Sequence, residues 1–373
     1  MMEQIKREPV KSGILAGLLV VLFMMVFFFA RWWNSPLGTE LVEETITPST
    51  EMVQVVPEET LIPSTIVPTV KKETITPTET AYVSPTATIT PDTICDGPET
   101  MFVQVTGVEG ISYLYGLSDA IRVVRIDFLN GKITILHLPR DMYVSIPITV
   151  PGVTESETFG KLNQAYFYGS SGMGYYDGED QAPGLLAQTI EENFNLKIDN
   201  YISVNTRIFQ MMVDAIGGLD VYLPDNVYEH YFQEPVLYME AGIHHLDGKQ
   251  AEMIARHRTL IGDFGRVKNQ TILIEAFIRN LLTTEGLTSI PDLIEIYRET
   301  VLMDLTPDEI SDVLCLLSKI DNKEDITFLD FPLDLLEEIR VYDEVQKHNV
   351  YVLNPDLNAV VEFLDKFQKG IIP

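Results

Sequence analysis

Basic residues are scarce in this chain: 26 Lys and Arg stand against 55 Asp and Glu, a formal net charge of −29 over 373 residues. That balance excludes a general electrostatic grip on nucleic acid, which depends on neutralising phosphates, although a local basic pocket stays possible. Cysteine is scarcer still. Cys95 and Cys315 are the whole complement, so there is no CxxC pair and no Cys/His zinc pattern. The two could form one disulfide, but sequence alone does not supply the geometry that decides it. Histidine numbers six, and the adjacent His244 and His245 are expected in a turn rather than on a metal.

Charge is missing altogether from residues 13–30, GILAGLLVVLFMMVFFFA, a run of 18 positions followed directly by Trp32 and Trp33. An apolar stretch of that length with an interfacial aromatic pair predicts one transmembrane helix. Lys6, Arg7 and Lys11 precede it, which puts the amino end in the cytoplasm and everything after Arg31 outside. A cleaved signal peptide is the alternative; the length of the run and the Arg31-Trp32-Trp33 context argue against it. The expected layout is a cytoplasmic tail at 1–12, a membrane anchor at 13–33 and an extracytoplasmic linker at 34–98. Eight prolines fall between Pro36 and Cys95, with many threonines, and the string ETITP occurs at Glu44 and again at Glu73. Such a segment buries no core and is predicted to be a disordered stalk, about 3.1 Å per residue where extended.

Globular patterning begins near Met101. Residues 121–128 and 132–138 flank Asn130-Gly131, the signature of a two-residue hairpin whose central positions take positive φ. In the first strand Val123, Arg125 and Asp127 share one face and Val124, Ile126 and Phe128 the other, predicting one polar side and one packed side. Thr206 is the expected cap of a helix carrying Ile208, Met211, Met212, Ala215 and Ile216, ended by Gly217 and Gly218. A strand at 219–223 follows. A longer helix is predicted from about Gly265 to Leu282, with Val267, Ile274, Phe277, Ile278 and Leu281 inward. Another runs over 307–319 after Thr306, and then a strand over 326–331. Strands interleaved with helices predict an α/β fold, a three-layer sandwich with a central mixed sheet flanked by helices.

Polar groups stand out against this frame. LPRD at 138–141 ends a strand and presents Arg140 and Asp141 at its carboxyl edge, a usual place for sites in α/β sheets, although a surface ion pair would look the same. Arg256 and Arg258 lie two apart, which aligns them only in extended chain. In DFGRVKNQ, 263–270, Asp263 is a candidate helix cap, and Arg266 and Gln270 fall one turn apart. A helix start with an Arg beside it suits phosphate. The DFG string also occurs in protein kinases, but no glycine-rich loop or HRD element accompanies it.

Taken in order, GVEG at 107, SDAI at 118, Arg125 with Asp127, LPRD at 138, KLNQAY at 161, GGLDVYLP at 217, HLDGKQA at 245, RHR at 256 and DFGRVKNQ at 263 resemble the LytR-CpsA-Psr family. The resemblance covers the expected catalytic domain, 99–284. It extends more loosely into 285–373, a tail belonging to the same domain or to a small appended subdomain. It implies a phosphotransferase that moves a glycopolymer from a polyprenyl-pyrophosphate carrier to peptidoglycan or another envelope glycan. It further implies Mg²⁺ or Mn²⁺ on Glu109 and Asp119, and Arg140, Arg256 and Arg258 with Asp119 as the catalytic set. Arg125, Asp127, Lys161, Asp263, Arg266 and Gln270 are implied around the substrate. The prenyl chain of such a donor would lie in an apolar tunnel between sheet and helices. This chain departs from the family pattern at Glu109, where Asp is common, and at Leu117 and Asn269, where Arg is common. Losing a phosphate-contacting guanidinium weakens transition-state stabilisation, so a noncatalytic lipid-phosphate-binding module and a polyprenyl-pyrophosphate phosphatase stand as alternatives.

Overall fold

Simple alternation of apolar and polar side chains fails in the central strands, and the sheet they build explains why. The computed structural model describes residues 93–150, 158–231, 234–257, 263–281, 283, 301–320 and 325–371. The predicted membrane anchor and most of the linker lie outside these, and among the described residues no helix is long and apolar enough to cross a membrane.

Strands β1 (Thr100–Val108), β2 (Ser118–Asp127) and β3 (Lys132–Leu138) form an antiparallel core. After the small β4 (Tyr143–Ile146) and β5 (Thr158–Lys161) pair come α1 (Leu162–Gly169) and α2 (Gln181–Phe194). Strand β6 (Asn200–Asn205) then joins β1 in parallel and leads into α3 (Thr206–Ala215). β7 (Leu219–Leu223), β8 (Val227–Tyr231), β9 (Glu234–Met239) and β10 (Gly242–Leu246) make two small antiparallel pairs, β7 with β10 and β8 with β9. Helices α4 (Gly248–Arg256) and α5 (Asp263–Leu281) follow. β11 (Leu302–Met303), α6 (Pro307–Lys319), β12 (Ile326–Leu329), the hairpin β13 (Leu336–Asp343) with β14 (His348–Pro355), and α7 (Leu357–Gln368) complete the described chain. The main sheet is six-stranded and mixed, in the order β11-β6-β1-β2-β3-β12. Residues from beyond 300 therefore supply both of its edges.

Both faces of that sheet are covered. Ile121, Val123, Leu136 and Leu138 pack with Leu185 and Ile190 of α2 and Leu364 of α7. On the other side Met101, Val103, Ile126, Ile133 and Ile135 meet Leu316 of α6, with Ile278 of α5 partly buried beside them. A strand buried on both sides has no solvent face, so the predicted polar side of β2 does not exist: Arg125 and Asp127 are 7% and 4% exposed. They sit inside as an ion pair at 3.0 Å.

Other expectations shift in instructive ways. Asp127 pairs with Lys132 in the ladder, so the β2–β3 connection has four residues rather than two, and within it only Gly131 has positive φ. Asp127 organises this turn by accepting from the backbone N–H groups of Leu129 and Asn130, at 3.1 and 2.9 Å. The cap of α3 is Asn205, which accepts from Ile208 N–H at 3.0 Å, and not Thr206. His244 and His245 lie in β10, not in a turn, with His245 opposite Asp220 on β7. Thr306 caps α6, its hydroxyl accepting from Glu309 N–H, where Pro307 begins the helix. Cys95 and Cys315 are bonded, with Cα atoms 5.9 Å apart, closing 220 residues of sequence.

Candidate functional site

The site collects at the end of the sheet where β2 starts and β1 and β3 stop. Strands running in opposite directions bring those ends together, and the connection between β1 and β2 is held shut by Glu109 N–H donating to Leu117 carbonyl at 2.9 Å. Glu109 and Asp119 thus stand at the two ends of one short loop. Tyr113 secures the loop from within, its hydroxyl donating to Ser203 carbonyl at 2.8 Å.

Asp119 is the hub. One carboxylate oxygen accepts from Arg140 Nη1, the other from Arg266 Nη1 at 3.2 Å, and Arg266 Nη2 reaches the Asp119 carbonyl at 3.4 Å. Arg140 is contacted in turn by Asp141, whose second oxygen lies 2.6 Å from Lys161 Nζ. Charges therefore alternate along Lys161, Asp141, Arg140, Asp119 and Arg266. Local folding fixes the members of this row. At the β5–α1 junction Gln164 accepts from Lys161 N–H at 2.6 Å, and Asn163 N–H donates to the Arg140 carbonyl at 3.1 Å, so the start of α1 is stitched to LPRD.

Arg256 reaches the same region from the last turn of α4. It donates to Glu252 at 3.0 Å and to Glu109 at 3.2 Å. The Glu252 hydrogen bond is the main reason its guanidinium holds its proton more tightly than usual, and the charges of Glu109 and Asp119 add to the effect. With its side chain 60% exposed, Arg256 is free to turn toward a ligand. Gln270 Nε2 donates to Ala255 carbonyl at 3.3 Å, and the buried Asn269 donates to His257 carbonyl at 3.5 Å. Those two amides pin the exit of α4 against α5, which gives Asn269 a structural task of its own. Arg258 lies outside the described residues. Asp263 is the first residue of α5, and its side chain is likewise outside them.

Two residues expected around the substrate are elsewhere. Arg125 and Asp127 occupy the opposite end of β2, roughly 20 Å or more from Asp119 at about 3.3 Å per residue. Arg125 Nε donates to the Gln368 carbonyl at the end of α7, at 3.0 Å, and Asp127 serves the turn. Burial alone would raise the Asp127 carboxyl; hydrogen bonds from Asn130 and Arg125 outweigh it and hold the group below the usual carboxylate range. The reason for the misplacement is plain: charged residues in a strand mark either a site or a buried pair, and only the neighbours tell which.

Sequence reasoning also passed over residues on the sheet face beneath α5. Arg122, directly opposite His137 on β3, is 3% exposed and donates from Nη2 to Thr271 Oγ1 of α5 at 3.1 Å. Burial lowers Arg122 to about 10, so it stays cationic at neutral pH. Burial, then the Arg122 charge, pushes His137 down to about 3, and it is neutral. The available signal was a cation among the apolar residues of a central strand.

Comparison with known proteins bears on the fold and the family. The polyisoprenyl-teichoic acid–peptidoglycan teichoic acid transferase TagU of Oceanobacillus iheyensis is 33% identical over 202 residues, which is 53% of this chain and 57% of the relative. The chain thus spans a little over half the length of that relative. Among solved structures, Bacillus subtilis TagV matches with a TM-score of 0.56 at 24% identity, covering 74% of this chain and 99% of that one. TagT bound to LIIa-WTA matches at 0.52 and 18% identity, covering 73% of this chain and 91% of that one. These likenesses show a common fold. The LytR_cpsA_psr family matches residues 98–369, most of the sequence and every residue of the charge cluster, and the chain belongs to that family.

Proposed function

We propose that this protein is a phosphotransferase of the bacterial envelope, moving a glycopolymer as its glycosyl phosphate from a polyprenyl-pyrophosphate carrier to a hydroxyl of peptidoglycan or another envelope glycan. In that reaction the acceptor oxygen bonds to the sugar-linked phosphorus and the diphosphate P–O bond breaks. Polyprenyl phosphate leaves, and the new linkage is a phosphodiester. The observation that carries the reading is the convergence of Arg140, Arg256 and Arg266 on the Asp119–Glu109 end of the sheet, in a chain whose relatives include a teichoic acid transferase by name. Guanidinium forks match phosphate oxygens and stabilise the charge that spreads over them during transfer. Lys161, two links away through Asp141, adds a cation beside the same edge. Arg258, two residues past Arg256, is part of the proposed set.

Glu109 and Asp119 are the residues that would hold Mg²⁺ or Mn²⁺. Both offer hard oxygen ligands at one loop, and two carboxylates suffice when phosphate oxygens and water complete the shell. The ion would neutralise charge on the diphosphate. Until substrate arrives, Asp119 is occupied by Arg140 and Arg266 and Glu109 by Arg256, so donor binding exchanges carboxylate for phosphate at the arginines. We further propose that residues 13–33 anchor the chain in the membrane, with its amino end cytoplasmic and the globular part outside, which brings the site to a lipid-borne donor.

The test is to incubate the full chain in vesicles with Mg²⁺ and a radiolabelled polyprenyl-pyrophosphate oligosaccharide, with and without glycan acceptor. Acceptor-dependent transfer of label is the expected result, reduced about 10²–10³-fold in Arg140→Ala and Arg256→Ala with thermal unfolding of Arg256→Ala unchanged. Release of label into water without acceptor would make the protein a phosphatase, and retention of intact donor a binding module.

A further inference from the structure

We propose that Arg122, together with His137 on the sheet face beneath α5, is a second phosphate-binding group, extending the site inward from Asp119; this rests on the phosphotransferase reading only for the identity of the natural ligand. Three observations carry it. Arg122 Nε and His137 Nδ1 are each buried without a hydrogen-bond partner among the described residues, in residues 3% and 8% exposed. Buried polar atoms of native proteins are nearly always satisfied, so two side by side on one face indicate a group that belongs there. Their placement is coherent as well. Arg122 and His137 are cross-strand neighbours and project from the same face of the sheet. α5 lies over both, with Thr271 bonded to Arg122 and Arg266 five residues before it, and the charge of Arg266 is felt at His137. Finally, the charge balance is incomplete. Arg122 is cationic, its described partner Thr271 is neutral, and Asp330 acts on it only through charge, with no ion pair formed among the described residues.

The ligand this arrangement fits is a phosphoryl or diphosphoryl oxygen. A guanidinium with an unspent Nε–H presents a fork to a tetrahedral anion. Thr271 is already oriented, since its hydroxyl donates to Val267 carbonyl at 3.0 Å while accepting from Arg122. The Arg122 side chain is therefore aimed before any ligand arrives, which limits the ordering that binding requires.

The experiment is calorimetric titration of the full chain in detergent with inorganic pyrophosphate and, separately, with farnesyl pyrophosphate, for the unaltered protein and for Arg122→Gln, Arg122→Lys and Arg140→Ala. Arg122→Gln is expected to weaken both ligands at least tenfold, with Arg122→Lys intermediate and both variants folded by circular dichroism. Tighter binding of farnesyl pyrophosphate than of inorganic pyrophosphate assigns the subsite to a lipid headgroup; equal binding assigns it to a free anion. Unchanged affinities in Arg122→Gln, alongside a loss in Arg140→Ala, would overturn the proposal and leave Arg122 a structural cation. The reverse pattern would keep Arg122 as a phosphate ligand and remove Arg140 from that role.

Discussion

Arg125 and Asp127 illustrate what a single charged residue does when the surrounding strand is buried on both faces. Their pair is 9% and 6% exposed at the side chains, and each member has further partners, the Gln368 carbonyl for one and the turn amides for the other. Removing one partner strands the other's charge in the interior, a loss of about 3–5 kcal/mol. Arg125→Ala is therefore expected to lower stability by that order in denaturant unfolding while leaving the proposed transfer unchanged per folded molecule. A loss of transfer at full stability would return Arg125 to the site. Asp119 is the contrasting case. It too pairs with arginines, but at the sheet's end, beside an exposed Arg256 and Glu109, where a ligand can compete for them. Residue type was legible in the sequence for both; the environment that separates structural pair from site was not.

Among the elements, α5 was placed to within two residues along the chain but misjudged in its packing. Its expected inward stripe missed Leu273 and Ala276, which are 1% and 3% exposed. The helix lies between two cores, with Leu273 and Ala276 joining β7, β10 and α4, and Ile278 joining the sheet. A helix contacted on several sides has no single apolar face for periodicity to find. The same position puts α5 over His137 on β3. His137 is neutral when folded, held at about 3 by burial, by Arg122 and by Arg266 against a backbone hydrogen bond to Ile121, whereas in the unfolded chain it titrates near about 6.5. Between these values the unfolded state binds the extra proton, so stability falls as pH drops from about 6.5 toward about 3. His137→Gln should flatten that part of a stability-against-pH curve measured by thermal unfolding; an unaltered slope would mean the ring is protonated in the fold.

At the scale of the molecule, the tail beyond residue 300 is part of the sheet rather than an addition to it: β11 and β12 are its two edges, and the Cys95–Cys315 bond ties the entry of the described chain to α6. A crosslink closing so long a loop restricts the unfolded chain strongly, typically by about 2–5 kcal/mol. Replacing both cysteines with serine should lower stability by that amount and make thermal unfolding insensitive to reductant. Equal melting of variant and parent under oxidising conditions would contradict it. The sequence by itself determined the alternation of strands and helices, the start of α6 at Thr306-Pro307, the boundaries of β7 and α6, and the family through ordered motifs, because each of these depends on residues near one another along the chain. Tertiary structure alone decided that β2 has no polar face, that Arg125 is remote from Asp119, that the two cysteines meet, and that Arg122 and His137 lie buried beneath α5. Each of those depends on which distant segments pack together, and local periodicity carries no information about the partner across the sheet.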